Sequence, residues 1–385
     1  MPNITYSVSN DIEWYDAATG DTIVYNLGDI AWVLTCTALV WIMIPGVGFF
    51  YSGLLRRKNA LSMIYFSMMA LAVVSFQWFF WGYSLAFSDG ASAFIGDLKY
   101  FALKGVLDQP SMGSTRIPAL VFSVYQLMFA AITPMLALGG FAERCRLGPV
   151  AVFVFVWSTL VYDPIACWTW NAAGWSYVLG GLDFAGGTPV HISSGTAALA
   201  ISIYLGKRSG YGTERLAYKP HNTTYVVLAG TLCNFATQLK FVLHYDECLD
   251  VFACHGVGGI VGNLLTGLFA QAYIAGLDPP SQIVPSDEPS KIAAGWLNRH
   301  YIQLAYQIAD SAAGFAYSFI MTTLILWVFH FIPFLRLRTS EEAETVGIDE
   351  NDMGESAYDF NTGQERGSTE LNGVPSPPGP PLVIE

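Results

Sequence analysis

Residues 183–195 read Asp-Phe-Ala-Gly-Gly-Thr-Pro-Val-His-Ile-Ser-Ser-Gly, and they open an apolar run that extends to about residue 206. A second stretch, residues 250–259, reads Asp-Val-Phe-Ala-Cys-His-Gly-Val-Gly-Gly and opens another apolar run. Each run carries one histidine, His191 or His255, among small residues. Such runs are typical of helices that cross a lipid bilayer, where an ionisable side chain is costly and by default marks a pathway or a cofactor.

The composition of the whole chain indicates that lipid is its main solvent. Of 385 residues, 53% are hydrophobic and only 12% are charged, against about 25% charged in soluble proteins. Eight apolar runs predict an all-α polytopic membrane protein with one transmembrane domain at residues 31–335. The runs lie at about residues 31–54, 61–87, 117–141, 149–169, 189–206, 223–243, 251–275 and 304–335.

The net charge of −12 is concentrated at the C-terminus. Residues 339–385 contain eleven acidic residues and one arginine, so the membrane domain is nearly neutral. We predict an acidic cytoplasmic tail at residues 336–385 that is disordered beyond about residue 361, where the end is rich in proline. No basic surface for nucleic acid is indicated. The six cysteines lack CxxC spacing, so we expect no metal and no cofactor.

The basic residues predict the orientation of the first five runs. Residues 56–58 follow run one, Arg144 and Arg146 follow run three, and residues 207–219 hold four basic residues after run five. Since cytoplasmic loops carry the lysines and arginines, these ends lie inside and residues 1–30 form an extracellular N-terminus. The glycosylation sequon at Asn3 agrees with an exterior N-terminus.

The same rule conflicts with eight complete crossings. If every run crossed, Arg336 and Arg338 would lie outside, although the charge rule assigns them to the cytoplasm. Run six follows a basic loop and ends at Lys240, as though both of its ends faced the same side. We interpret run six as two half-helices that have been joined, with an odd number of spans missing between them.

The two histidines fit a pathway for a small polar solute. The neighbouring glycines allow backbones to approach closely, so the imidazoles can lie side by side between helices. Such a pair can share a proton and offer lone pairs to an amine. Two alternatives remain open. In the first, each histidine forms its own hydrogen bonds near a membrane boundary and the two do not interact. In the second, His191 and His255 ligate haem. A haem pair needs a wide cavity and often a second pair, which the sequence does not show. Nothing indicates an enzyme.

Asp183 and the aromatic residues can also be explained by purely structural roles. Asp183 is well placed to cap the helix of run five, and a buried carboxylate near the mouth of a pore would also stabilise a cation. Most aromatic residues are expected to pack or to form the interfacial belt. An aromatic face can nevertheless bind ammonium by cation–π attraction.

Four stretches of the membrane domain resemble the ammonium transporter, methylammonium permease and Rhesus family, and the fungal permease branch is the most similar. They are residues 43–59 (Met-Ile-Pro-Gly-Val-Gly-Phe-Phe-Tyr-Ser-Gly-Leu-Leu-Arg-Arg-Lys-Asn), 126–144, 183–191 and 250–262. Residues 347–358 are similar to the family's cytoplasmic regulatory tail. The resemblance extends from about residue 28 to residue 360.

The resemblance implies a plasma-membrane homotrimer with one pore per subunit that transports ammonium, ammonia or methylammonium. Each pore has an outer recognition site, a pair of stacked phenylalanines and then twin histidines. In this sequence His191 and His255 match the twin histidines, Asp183 matches the acid beneath the recognition site, and Trp170 matches the indole of that site. Phe129 matches the first gating phenylalanine.

The chain departs from the family in its middle. The family has eleven spans, in two inverted halves of five and a last one. After residues 221–225 it continues with a Trp-Gly-Trp-Phe-Gly-Phe-Asn-type motif, which carries the second gating phenylalanine and is absent here. We therefore predict a deletion junction near residues 226–230, which joins part of the sixth span to part of the ninth.

The deletion has two possible consequences for the second histidine. If run six crosses the membrane, His255 enters from the wrong side; if the chain returns to the cytoplasmic side, the later runs regain the family orientation. Either way one wall of the pore is missing, and we expect ammonium transport to be impaired. The alternative function is a non-conducting regulator or sensor that assembles with full-length ammonium transporters.

Overall fold

The computed structural model describes residues 12–15, 20–212, 240, 244–275 and 294–357. Within this part, six helices are long and apolar enough to cross a membrane: Leu27–Leu54, Arg57–Phe87, Ala119–Phe141, Leu147–Leu179, Phe252–Phe269 and Gln303–Phe331. The fifth predicted run is also helical. Run six, at residues 223–243, lies outside the described residues apart from Lys240, and so does the predicted junction at residues 226–230.

Several of the membrane helices contain a π-helical turn. The described elements are β1 (Ile12–Tyr15), β2 (Thr22–Tyr25), α1 (Leu27–Leu54), α2 (Ala60–Gln77), α3 (Tyr83–Phe87), α4 (Ala119–Ala137), α5 (Leu147–Trp157), α6 (Asp163–Trp170), α7 (Trp175–Leu179), α8 (Ser193–Leu205), α9 (Gly258–Phe269), α10 (Ala272–Ala275), α11 (Gln303–Phe331) and α12 (Glu341–Val346). The π-helical turns are Trp78–Gly82, Ser158–Tyr162, Gly187–Ile192, Phe252–Val257 and Asp349–Met353. Short 3-10 helices lie at Arg57–Asn59, Phe101–Leu103, Leu138–Phe141, Trp296–Asn298 and Pro333–Leu335.

The N-terminal part adds a small β-hairpin to an otherwise helical chain. β1 and β2 pair antiparallel, with Ile12 opposite Tyr25. α1 then begins at Leu27, because the Asn26 side chain accepts a hydrogen bond from the backbone N–H of Asp29 at 2.9 Å and so satisfies a free donor of the first turn. Most of α1 is exposed, as expected of a helix that faces lipid or another subunit.

The core lies between the membrane helices and is rich in aromatic side chains. Trp157 and Phe153 on α5 and Phe141 after α4 are fully buried in it. The indole N–H of Trp157 donates a hydrogen bond to the Thr322 hydroxyl at 2.9 Å, which ties α5 to α11. Since lipid supplies no partner for a polar group, such side-chain hydrogen bonds stabilise contacts between helices.

The two helices that carry the histidines run antiparallel. We call the turn Gly187–Ile192 with α8 the first histidine helix, and the turn Phe252–Val257 with α9 the second histidine helix. Gly187, at the start of the first, lies against the Asn263 side chain near the end of the second. Antiparallel packing of this kind is expected of inverted structural repeats.

Arg208, which follows the first histidine helix, and Asp246, which precedes the second, lie at the same end of the bundle. Arg208 donates hydrogen bonds to both carboxylate oxygens of Asp246, each at 2.8 Å. Arg144, which follows α4, donates from Nη2 to the Asp246 carbonyl at 2.6 Å. We call this end of the molecule the basic end. The second histidine helix therefore begins at the end where the first one finishes.

The last membrane helix, α11, finishes at the basic end as well. It begins beside α7, where Gln303 donates to the Gly180 carbonyl at 2.8 Å. Beyond its other end, Arg338 donates to the carbonyls of Leu205 and Lys207 at 2.6 and 2.7 Å. The arginines after run eight therefore lie with those after runs three and five. This is the arrangement expected when the chain between runs five and seven returns to the side from which it left. It places Arg336 and Arg338 with the other basic residues and so removes the conflict found in the charge pattern.

The described part of the tail, up to residue 357, packs against the basic end. The Asp349 carboxylate accepts hydrogen bonds from the backbone N–H groups of Leu61 and Ser62, both at 2.8 Å, and so caps the N-terminus of α2. Asp352 accepts from the N–H of Leu147 at 3.0 Å, at the start of α5. Negative charge at a helix N-terminus is favourable, so the acidic tail fits the helix ends that it covers. The tail predicted to be disordered beyond residue 361 lies outside the described residues.

Candidate functional site: the histidine pair

His191 and His255 meet where the two histidine helices cross. Their Nδ1 atoms are 3.1 Å apart, the ring planes are parallel within 3°, and the ring centroids are 5.3 Å apart. Those distances fit two rings that meet edge to edge. One ring must donate its Nδ1–H to the other, so one Nε2 is left as an acceptor and the other Nε2 carries a hydrogen. The pair thus presents both a lone pair and an N–H group, as the sequence predicted for adjacent imidazoles.

Glycines bring the two backbones close enough for this contact. A Cβ atom on Gly195 would lie 2.1 Å from the backbone nitrogen of Gly256, and one on Gly259 would lie 2.8 Å from the carbonyl oxygen of Gly187. Real side chains do not tolerate such distances, so the crossing requires glycine at these positions. Each histidine also lies in a π-helical turn, a feature common at functional sites.

We predict that Gly195→Val separates the histidine helices. The added side chain has no room against Gly256, so overpacking should destabilise the protein by about 3 kcal/mol and break the contact between His191 and His255. Thermal unfolding in detergent measures the first effect. Gly262→Val is the matched control, because Gly262 lies on the second histidine helix and a Cβ there meets nothing within 4 Å. Equal melting temperatures for the two variants would contradict the prediction.

Asp183 caps the first histidine helix. Its carboxylate accepts hydrogen bonds from the backbone N–H groups of Gly186, Gly187 and Thr188, each at 2.7 Å. Burial raises the pKa of Asp183, and the three N–H donors oppose that rise. The capping role considered from the sequence is therefore present in the structure. It is compatible with a second role, because the carboxylate remains a fixed negative charge near the start of the helix.

A corresponding acid, Glu247, was missed by the sequence analysis. Glu247 is 2% exposed and accepts a hydrogen bond from the N–H of Phe252 at 3.0 Å, at the start of the second histidine helix. Burial raises the pKa of Glu247 to about 8. The sequence did contain the signal, since Asp183 and Glu247 each precede their histidine by eight residues. Asp250, which lies nearer to His255 in the sequence, forms an ion pair with Lys240 at 2.6 Å.

Trp170 lies beside Asp183, whereas Phe129 has a separate environment. The Trp170 indole N–H donates to the Asp183 backbone carbonyl at 2.9 Å, and its ring lies against Gly186. Phe129 is partly buried on α4, and its ring lies 5.0 Å from that of Tyr125 in an edge-to-face arrangement. Among the described residues, no second phenylalanine forms a ring pair with Phe129.

These features define a polytopic membrane transport protein. Two antiparallel helices bring a pair of ionisable rings together inside a bundle of membrane helices, with an indole and a carboxylate at one end of the first helix. Comparison with known proteins gives the family. The family model described as Ammonium Transporter Family matches residues 31–232 and 227–358, and the chain belongs to this family.

Named relatives support this assignment over most of the chain. "Ammonium transporter 1" of Schizosaccharomyces pombe is 43% identical over 421 aligned positions, which cover 87% of this chain and 83% of that protein. "Ammonium transporter MEP2" of Saccharomyces cerevisiae is 38% identical and covers 88% of this chain. The crystal structure of Candida albicans Mep2 superposes with a TM-score of 0.72 at 37% identity, over 83% of this chain and 87% of that one.

The alignments also contain a large gap in this chain. Since 87% of 385 residues is about 335, about 86 of the 421 positions aligned with the Schizosaccharomyces pombe protein have no counterpart here. The family model matches in two segments, and the first ends at residue 232 while the second begins at residue 227. The two segments overlap at residues 227–232, and the deletion junction near residues 226–230 stays a prediction.

Proposed function

We propose that this chain takes part in ammonium transport across the plasma membrane, with His191 and His255 as the groups that contact the solute inside the pore. The observation that carries the proposal is the contact between their Nδ1 atoms at 3.1 Å. The named ammonium transporters that the chain resembles over most of its length support it.

The geometry suggests how the pair handles the solute. The free Nε2 lone pair of one ring accepts an N–H of ammonium or ammonia, and the Nε2–H of the other ring can donate to the nitrogen of ammonia. When the free Nε2 of one ring takes up a proton, the Nδ1 proton of that ring can pass to the Nδ1 of the other ring, whose Nε2 proton then leaves, so both rings end neutral. Trp170 and Asp183, which lie together at the start of the first histidine helix, are suited to receive a cation, the first by cation–π attraction and the second by its charge.

We further propose the family's orientation and assembly for this chain. Placing the basic end in the cytoplasm satisfies the positive-inside rule for every described basic cluster and puts the N-terminal hairpin outside. The tail is then cytoplasmic. A homotrimer with one pore per subunit would cover part of the exposed face of α1, where Trp32 and Phe50 are 67% and 64% exposed.

The shortened middle predicts that transport is slow. The histidine pair, its two acid caps and α11 are in place, but the sequence contains no second gating phenylalanine motif. A pore with one wall incomplete leaves backbone and side-chain polar groups without partners in lipid, which costs several kcal/mol per group. We therefore propose an ammonium transporter with reduced conductance.

The proposal is tested by uptake of radiolabelled methylammonium in yeast cells that lack their own ammonium transporters. We expect slow uptake by the 385-residue chain, and we expect His191→Ala to reduce it to background because the pair then loses one of its two rings. Surface labelling must show equal amounts of both proteins. Absence of uptake by protein that is present at the surface, or uptake that survives in His191→Ala, would overturn the proposed role of the pair.

A further inference from the structure

Asp310 on α11 lies in a buried polar network between the two histidine helices. It is 2% exposed. The Thr188 hydroxyl, on the first histidine helix, donates a hydrogen bond to Asp310 Oδ2. Asn263, on the second histidine helix, donates to the Thr188 hydroxyl at 2.8 Å and to the Ser311 hydroxyl at 3.2 Å. Asp310 is thus the acid at the point where three membrane helices meet.

Thr188 also connects Asp310 to Asp183. The Thr188 backbone N–H donates to Asp183 Oδ2 at 2.7 Å, while its hydroxyl bonds to Asp310. Two buried carboxyl groups are therefore joined through one residue. The described residues contain no ion pair between a lysine, arginine or histidine and either of these carboxyl groups.

The two acids differ in the number and kind of their hydrogen-bond donors. Asp183 accepts three backbone N–H bonds, an environment that stabilises the anion. Asp310 accepts from the Thr188 hydroxyl, from the Ser176 side chain of α7 and, at 3.5 Å, from Asn263 Nδ2; these uncharged donors offset only part of the cost of burying an anion. A second anion here would be costly, because both desolvation and repulsion by Asp183 oppose it.

We propose that Asp310 is a buried proton-binding site, so that the Asp183–Thr188–Asp310 unit holds one proton and one negative charge. The proton lies on Asp310, which keeps α11 bound to both histidine helices without placing a second charge in the membrane. Loss of this proton adds a negative charge close to the start of the first histidine helix. The part of this inference that concerns substrate affinity rests on the proposed transport function, whereas the protonation state does not.

The protonation state can be measured directly by infrared spectroscopy of the purified protein at pH 7. A protonated carboxylic acid gives a carbonyl band that is separate from the bands of carboxylates. We expect the spectrum of the unaltered chain minus that of Asp310→Asn to contain this band, and the corresponding difference for Asp183→Asn to lack it. Asp89→Asn is the matched control for background, because Asp89 pairs with Lys99 at the surface, where both side chains are more than half exposed, and its removal should leave the carbonyl band unchanged.

A second variant keeps the test decisive if Asp310→Asn fails to fold. Thr188→Val removes the hydroxyl partner of Asp310, so we expect the carbonyl band of the acid to change frequency in this variant.

In uptake assays, we expect the affinity for methylammonium to increase as the pH is raised in the unaltered chain, and Asp310→Asn to lack this increase. If the chain does not transport, the proposed function fails while the infrared test still stands. A difference spectrum for Asp310→Asn without the carbonyl band, or a band unchanged by Thr188→Val, would overturn the proton-binding site.

Discussion

Restoring the missing segment is expected to increase methylammonium uptake by at least about tenfold, which corresponds to lowering the transport barrier by about 1.4 kcal/mol. The segment would be taken from Schizosaccharomyces pombe Ammonium transporter 1, using the positions that have no counterpart in this chain, and inserted between residues 227 and 232, where the two family matches meet. The physical reason is that the histidine pair is already assembled, so the insertion needs to supply only the missing wall and gate.

The control for this experiment is the same insertion in a chain that carries His191→Ala. Both chimeras should reach the surface in equal amounts, and only the one with both histidines should transport rapidly. This comparison separates a restored pore from a general improvement in folding. If the unaltered chain transports as fast as the chimera, the segment is not needed for conduction, and the interpretation of the middle of the chain as a defect is wrong.

The sequence predicted the class of fold and the histidine pair because both depend on local patterns. An apolar run long enough to cross a bilayer is visible in composition, and an ionisable residue within it is conspicuous. Glycines around His191 and His255 indicated close packing of helices, and the structure places Gly195 against Gly256. The family assignment is confirmed by the match to the family model and to named relatives.

Other features could not be predicted because they depend on residues that are distant in sequence. Nothing local to Asp349 indicates that it caps α2, about 290 residues earlier, and nothing local to Asp310 indicates that it meets Thr188. The equal spacing of Asp183 and Glu247 from the two histidines is present in the sequence, but Asp250 lies nearer to His255, so sequence position alone did not single out Glu247. The roles of Phe129 and Trp170 in transport remain predictions.

The direction of the second histidine helix depends on ion pairs at the basic end, which local sequence patterns also did not reveal. Arg208 bonds to Asp246 and to Glu143, and Glu143 also binds Arg56 at 2.9 Å. Asp246 and Glu143 are 2% and 3% exposed, so the cluster is largely shielded from water. It fixes Asp246, which precedes the second histidine helix, beside Arg208, which follows the first. The cluster thereby sets the side from which the helix carrying His255 enters the membrane.

We therefore expect Asp246→Ala to destabilise the protein by about 3 to 5 kcal/mol, because the buried guanidinium of Arg144 loses its acidic partner and Arg208 keeps only Glu143. Thermal unfolding in detergent at pH 7 measures this loss. Asp89→Ala is the matched control, since Asp89 pairs with Lys99 at the surface, where both side chains are more than half exposed, and it should change the melting temperature little. Similar melting temperatures for Asp246→Ala and Asp89→Ala would show that the cluster does not hold the helices.

The same cluster predicts how stability depends on pH. Burial alone would raise the pKa of Asp246, but hydrogen bonds and the charge of Arg208 outweigh it and lower the pKa; the same balance lowers the pKa of Glu143 through Arg208 and Arg56. A carboxyl group whose pKa is lower in the folded state stabilises the fold above its unfolded pKa, about 4 for these residues, and this stabilisation is lost as the pH falls through the folded value. The melting temperature should therefore fall as the pH is lowered below about 4, and Asp246→Ala should weaken that dependence, because one of the two acids that must be protonated is gone.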